Sequence, residues 1–135
     1  MEKKYTKRDI ERLAKKLVAI CKRNNWTDTS FYFNDKRIRL EDDWGKNGRL
    51  KLKAIEEDDI CPLDYFKYAS KKHIISMAFE GYLYQRINYG KGMPESFKNL
   101  FKQYNLYWEQ GNAWNLSLYP NGDIEDYEYT DYSDR

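Results

Sequence analysis

The hydrophobic period of this chain changes near residue 25, and that change limits its possible folds more than any other feature. Before this point apolar residues recur at the spacing of one face of an α-helix: Ile10, Leu13, Ala14, Leu17, Val18 and Cys21. Thr6, with Asp9 three residues later, has the pattern of a capping box, and Asn24-Asn25 ends the segment. The sequence therefore predicts an amphipathic helix over about 7–24.

After residue 25 apolar and polar residues alternate with a period of two, which is typical of strands with one buried face. Three short strands are indicated around residues 31–33, 38–40 and 50–52. Asn34-Asp35 and Asn47-Gly48 lie between them and tolerate the left-handed backbone that tight hairpin turns require. This part of the chain predicts an antiparallel meander.

The rest of the chain predicts further elements of both kinds. The acids at 56–59 interrupt the alternation, so we expect a loop or a single helical turn there. HIISMAFEG (73–81) predicts a fourth strand, YLYQRINY (82–89) a short helix, and Pro94-Glu95 the start of another helix. AWNLSLYPNGDIEDYEY (113–129) predicts a hairpin with its turn at Asn121-Gly122 and an edge strand returning from Ile124.

Together these elements predict an α+β fold. An antiparallel sheet of five to six strands would carry the N-terminal amphipathic helix and one or two further helices on one face. The 135 residues fit a single domain over 1–135, in which residues 1–5 and about 130–135 are expected to be loose.

Composition narrows the setting of the protein. The sequence has no apolar run of about 18 residues, as a transmembrane helix would require, and its charged first residues differ from a signal peptide. Cys21 and Cys61 have no motif spacing and are expected to be reduced thiols. We expect a cytoplasmic protein.

The formal net charge of +2 hides two charged ends. Residues 1–23 contain nine Lys and Arg and three acids, whereas residues 119–135 contain six acids and one Arg. Local charge therefore says more about binding than the total does.

Six cations fall on the face of the first helix opposite its apolar residues. They are the candidate nucleic-acid contacts: Arg8, Arg12, Lys15, Lys16, Lys22 and Arg23. Such a row can neutralise phosphates, although solvated helix faces have the same pattern. Four tyrosines are suited to stacking on bases, but the sequence outlines no platform: Tyr32, Tyr82, Tyr84 and Tyr89. A nucleic-acid-binding accessory or regulatory protein is thus one hypothesis.

The acidic end interleaves carboxylates with tyrosines. Its candidate partner-binding residues are Asp123, Glu125, Asp126, Tyr127, Glu128, Tyr129, Asp131 and Tyr132. Spaced carboxylates can imitate phosphates, and tyrosine adds contact area that interfaces favour. An edge strand that only discourages sheet pairing fits the same residues. The binding hypothesis predicts that Tyr127, Tyr129 and Tyr132 are more exposed than the other tyrosines.

Through DIEDYEYTDYSDR (123–135) the chain resembles small inhibitor proteins of phages and mobile elements. It is similar in particular to anti-CRISPR inhibitors that occupy a DNA or guide-RNA surface of a Cas nuclease. The resemblance is one of character and not of a motif, so it transfers no functional residues. Together with the acidic residues it gives the first hypothesis, a non-enzymatic inhibitor that occludes its partner through the acidic tyrosine-rich surface. The protein partner would be a nucleic-acid-binding enzyme or a ribonucleoprotein, in the cytoplasm of the host cell if a phage encodes the protein.

Catalytic chemistry has weaker support in the sequence. His73 has no nucleophile or carboxylate at a useful spacing and is expected to be an ordinary surface or strand-end residue. Cys21, Cys61 and His73 lack the fourth ligand and the close pairing of a zinc site. The acids at 41–43 and 56–59 leave a small metal-dependent nuclease or hydrolase as a further alternative. We predict no catalytic residue, metal or cofactor.

Overall fold

A computed structural model describes residues 3–62 and 73–130 of the chain. Its elements in chain order are α1 (Lys7–Asn24), β1 (Thr29–Phe33), β2 (Lys36–Trp44), β3 (Leu50–Asp58), β4 (Ile75–Phe79), α2 (Tyr82–Tyr89), α3 (Glu95–Gln103), β5 (Leu106–Asn112) and β6 (Asn115–Pro120). A single 3-10 turn, Ile124–Asp126, follows β6. The predicted α+β class with an N-terminal amphipathic helix is confirmed.

The strands form one antiparallel sheet in the order β3-β2-β1-β4-β6-β5. The first three strands make the predicted meander. Asn34 and Asp35 both have positive φ, 48° and 61°, which is the backbone of a two-residue hairpin turn. Gly48, with φ of 73°, lies in the next turn. The sequence therefore placed these two reversals correctly, because both depend on local backbone preference.

The helices and one face of the sheet enclose a single hydrophobic cluster. All six apolar residues predicted for the buried face of α1 belong to it, and α1 packs against β1, β2 and β3. Phe97 and Phe101 bring α3 into the same cluster, and Leu83 brings in α2. Cys21 is fully buried, and its burial raises the pKa of the thiol, which keeps that thiol neutral.

The start of α1 is fixed by the predicted capping box. The hydroxyl of Thr6 accepts a hydrogen bond from the Asp9 amide at 3.2 Å, and the Thr6 amide donates to Asp9 Oδ2 at 2.8 Å. The hydrogen bond from the Thr6 amide holds the pKa of the Asp9 carboxyl below its usual range. The helix ends where Asn25 turns to a left-handed φ of 52°.

Strand β3 continues through three of the acids that were expected to end it. Glu57 lies opposite Arg37 of β2 in the sheet. Arg37 donates to Glu57 at 3.0 and 2.7 Å, and Arg39 donates to it at 2.8 Å. The loop predicted at 56–59 is therefore wrong for 56–58, because cross-strand charge pairs stabilise the extended chain there. The strand stops before Asp59, whose φ is 56°.

The predicted hairpin at 113–129 is also wrong. The hairpin partner of β6 is β5, which precedes it, and the residues after Pro120 form no strand among those described. Strand β5 escaped prediction because most of it is polar and exposed, and its pairing with β6 is irregular between Gln110 and Asn112. The edge strand on this side of the sheet is therefore β5 and not the acidic end.

Candidate functional site

The outer face of α1 is a continuous row of cations. All six predicted contacts are exposed, and together they are called the basic stripe: Arg8, Arg12, Lys15, Lys16, Lys22 and Arg23. They face outward because the opposite side of α1 is buried against the sheet. From Arg8 to Arg23 the helix axis rises about 22 Å, at 1.5 Å per residue. The structure therefore brings all the predicted residues of this surface together.

The basic stripe is only loosely held by the rest of the protein. Arg12 lies 3.5 Å from Asp9, and Lys15 lies 3.9 Å from Glu56, in exposed ion pairs. Lys16 donates to the Tyr104 hydroxyl at 3.2 Å and lies over its ring. Within the described ranges, the other three side chains make no ion pair or hydrogen bond: Arg8, Lys22 and Arg23. Exposed pairs of this kind exchange readily with water or a ligand.

The acidic end behaves differently, because it is paired with the N-terminal residues. Residues 123–130 are called the acidic segment. Lys3 lies 3.3 Å from Glu125 and Lys4 lies 3.8 Å from Asp126. The Lys7 amide donates to Glu128 Oε1 at 3.3 Å. Part of the opposite charge at the two ends of the described chain is therefore paired inside the molecule.

Backbone pairing joins the same two segments. The Tyr5 amide donates to the Asp126 carbonyl at 3.0 Å, and the Glu128 amide donates to the Tyr5 carbonyl at 2.8 Å. The Tyr5 and Tyr127 rings stack with centroids 4.7 Å apart. This contact between residues 3–7 and 125–128 is called the terminal clasp. It holds Tyr5, which was expected to lie in a loose N-terminal segment.

Tyr127 is buried, and the prediction that it is exposed is wrong. Its side chain is 2% exposed, and its hydroxyl donates to the carbonyls of Tyr104 and Asn105 at 2.6 and 3.0 Å. Burial raises the pKa of this hydroxyl. The error arises from the assumed return strand: without it, the alternation of faces no longer says which side chain points outward.

The other residues of the predicted acidic surface have mixed positions. Asp123, Glu125 and Glu128 are exposed, whereas Asp126 and Tyr129 are half-buried. Two further residues, Asp131 and Tyr132, lie outside the described residues. The described tyrosines of this segment therefore form no exposed aromatic row, and partner contact by its carboxylates stays a prediction.

The residues considered for catalysis are His73 and the acids at 41–43 and 56–59. His73 is 2% exposed just before β4, so the expectation of a surface position is wrong, whereas a strand-end position is correct. Within 3–62 and 73–130, no three His, Cys, Asp or Glu side chains are arranged to hold a metal ion.

No helix in these ranges is long and apolar enough to cross a membrane.

An open groove of about 520 Å³ lies at one end of the central strands. Its charged lining is Asp28, Arg39, Glu41, Asp42 and Glu80. Arg39 already pairs with Glu41 and Glu57, so it is not available to pair with the other acids of the groove. Sequence reasoning missed this groove because its acids come from separate strands and loops.

A second exposed surface lies on α2, where Tyr82 and Tyr89 are 67% and 75% exposed. The sequence named both tyrosines but did not indicate where α2 lies. The structure places α2 next to the segment that follows α1, where the Arg86 guanidinium lies 6.0 Å from the ring centre of Trp26.

No match was found when the chain was compared with known protein families, with curated proteins and with solved structures. The resemblance to anti-CRISPR inhibitors therefore stays a prediction, and the function has to be inferred from the surfaces described above.

Proposed function

We propose that this protein is a non-enzymatic binding protein that contacts the phosphate backbone of a nucleic acid through the basic stripe. The observation that supports this proposal is that all six cations of the stripe are exposed on one helix face, and three of them have no side-chain partner among the described residues. A stripe held in this way is available to an anionic ligand without first losing strong internal contacts.

The expected mode of contact follows from how α1 is seated. One side of the helix is buried against β1, β2 and β3, so the flexible Lys and Arg side chains reach the ligand and the helix itself stays on the sheet. Such contacts fix position on the backbone and read no bases directly. Each neutralised phosphate releases counterions, so the affinity should fall steeply with salt.

The test measures fluorescence anisotropy of labelled DNA and RNA across a salt series. Each lost phosphate contact should reduce the slope of log K against log salt by about 0.7 to 0.9. The variant Arg12→Gln, Lys15→Gln and Arg23→Gln should therefore bind more weakly, with a slope shallower by about 2.

A matched control removes the same charge elsewhere, with Lys46→Gln, Lys51→Gln and Lys53→Gln. These three lysines are exposed in the β2–β3 hairpin. The control should bind as the unchanged protein does. Binding that is insensitive to salt, or an equal loss in the control, would contradict the proposal.

A second candidate function is inhibition of a nucleic-acid-handling enzyme, such as a Cas nuclease, through the acidic segment. The observation in its favour is that three carboxylates of this segment are exposed: Asp123, Glu125 and Glu128. The terminal clasp weighs against it, since Lys3 and Lys4 already neutralise part of the charge. Exchange of these three acids for Asn or Gln should abolish inhibition of such an enzyme while the fold survives, and undiminished inhibition would rule this mechanism out.

A further inference from the structure

From the exposed tyrosines of α2 beside the end of the basic stripe, we infer that the ligand is a single-stranded nucleic acid. The stripe would take its phosphates, and Tyr82 and Tyr89 would take its bases. The inference rests on the proposed function and adds the class of ligand, which the stripe alone does not determine.

The beginning of α2 lies close in space to the segment that follows α1. Trp26 follows α1, and its amide donates to the Cys21 carbonyl at 2.9 Å, which fixes it to the last turn of the helix. Arg86 of α2 lies 6.0 Å from the Trp26 ring centre. Through Trp26, α2 therefore lies near the end of α1 that carries Lys22 and Arg23.

The approach of α2 is close and depends on a glycine. A Cβ at Gly81, just before the helix, would lie 2.8 Å from the Thr27 carbonyl oxygen. The amide of Glu80, the residue before Gly81, donates to the Asp28 carbonyl at 3.1 Å. The start of α2 is thus fixed against the segment that leaves α1, so Tyr82 has a defined position relative to the stripe.

Tyr82, Arg86 and Tyr89 share one face of α2. Their spacing of i, i+4 and i+7 is that of side chains along a single helix face. Because Arg86 lies over Trp26, this face adjoins the segment that follows α1. The axial separation of Tyr82 and Tyr89 is about 10 Å, so the two rings would stack on different bases and would not sandwich one base.

The tyrosines of α2 are held in place before any ligand binds. The Tyr84 and Tyr89 ring centres are 6.0 Å apart, and hydrogen bonding between these two side chains raises the pKa of Tyr84. Asn88 donates to the Ala113 carbonyl at 2.6 Å, which fixes α2 to the β5–β6 turn. Trp114 lies in that turn and is 38% exposed.

The strand state of the ligand follows from what these rings can contact. Duplex bases hide their faces in the stack, so a protein reaches base faces only in single strands, loops and ends. A positively charged track beside exposed aromatic rings is the usual means of binding single strands without sequence preference. Charge complementarity with the basic stripe therefore identifies this occupant of the α2 face.

The experiment compares a labelled single strand, the duplex of the same sequence and an abasic strand of the same length. We expect the single strand to bind more tightly than the other two. Tyr82→Ala with Tyr89→Ala should weaken single-strand binding by about tenfold or more, on the scale of base–aromatic stacking. The same variant should leave duplex and abasic binding unchanged, because only unpaired bases contact these rings.

Tyr107→Ala is the matched control, since Tyr107 is also an exposed tyrosine but lies on β5 against Tyr119. It should change nothing, and circular dichroism should show that all variants are folded. If the α2 variant binds the single strand as the unchanged protein does, or if the duplex binds equally well, the inference is wrong and the proposed function survives. If none of the three ligands binds, both fall together.

Discussion

The basic stripe and the acidic segment look like equivalent charged surfaces in the sequence, but the fold uses them in opposite ways. The stripe lies on the outside of a helix whose other face is buried, and its side chains point into solvent. The acidic segment has no regular element beyond one short turn, and it is attached to the protein by Tyr127 and by its pairing with residues 3–7. One region displays its charge, whereas the other uses part of its charge for attachment.

The difference shows that charge density in a sequence does not identify a binding surface. What decides is where the neighbouring apolar residues go. In α1 they occur at helical spacing and take the buried face, so every cation is directed outward. In the acidic segment the most buried apolar group is the Tyr127 ring, and its burial draws the adjacent backbone against the N-terminal residues.

The strongest test of this comparison is Tyr127→Ala. Removing a buried ring with a satisfied hydroxyl should lower the free energy of unfolding by about 3 kcal/mol or more. Urea unfolding followed by tryptophan fluorescence would measure this loss. Tyr127→Phe, which removes only the hydroxyl, should cost about 1 kcal/mol. If the Ala variant is nearly as stable as the unchanged protein, the acidic segment is not attached as described.

The next effect concerns how α1 is held. Asp9→Asn weakens the capping box and should lower the free energy of unfolding by about 1 kcal/mol at neutral pH. Because folding lowers the pKa of Asp9, its contribution is full above the unfolded value near 3.8 and is lost as the pH falls through the folded value. The stability of the variant should therefore decline less steeply in acid.

The pKa of Glu57 is also lowered in the folded protein, and Glu57 is unchanged in the Asp9→Asn variant. Some acid sensitivity should therefore remain in Asp9→Asn. Identical pH profiles for the two proteins, measured by urea unfolding from neutral pH to below pH 4, would show that the cap does not titrate in this way.

A smaller effect is expected at the lysines of the terminal clasp. Lys3→Ala with Lys4→Ala removes two exposed ion pairs and should cost about 0.5 kcal/mol or less. The difference should vanish at about 1 M salt, where exposed charges are screened within a few ångströms. A large loss that persists in high salt would mean that charge, and not Tyr127, attaches the acidic segment.

An equally small effect on stability is expected in the basic stripe. Arg12→Gln, Lys15→Gln and Arg23→Gln should change the free energy of unfolding by about 0.5 kcal/mol or less, as is usual for exposed sites. Thermal unfolding of the same variant used for nucleic-acid binding would measure this. Marked destabilisation would show that the stripe is part of the fold and is not free for a ligand.

The features that the sequence predicted well are those set by near neighbours. Thr6 and Asp9 are three residues apart, and Asn34-Asp35 makes its turn through its own backbone preference. The basic stripe follows from helical periodicity once α1 is recognised. In each case the physical cause lies within one or two turns of the chain.

The features that were missed depend on distant partners. Glu57 stays in a strand because of Arg37 and Arg39, about 20 residues away, which local patterns do not reveal. Tyr127 is buried by contacts with Tyr104 and Tyr5, and Tyr5 comes from the other end of the described chain. The position of α2 next to Trp26 is set by Arg86, which is distant from Trp26 in the sequence.

The terminal clasp has a consequence for synthesis on the ribosome. By Pro120 the growing chain contains every helix and strand of the described residues, yet the site for the Tyr127 ring is still unfilled and Tyr5 lacks its stacking and backbone partners. Residues 3–7 must therefore wait until residues 125–128 have been synthesised before the terminal clasp can close. A nascent chain stalled shortly after β6 would expose this unfilled site to chaperones and proteases, because the clasp closes only after the sheet is complete.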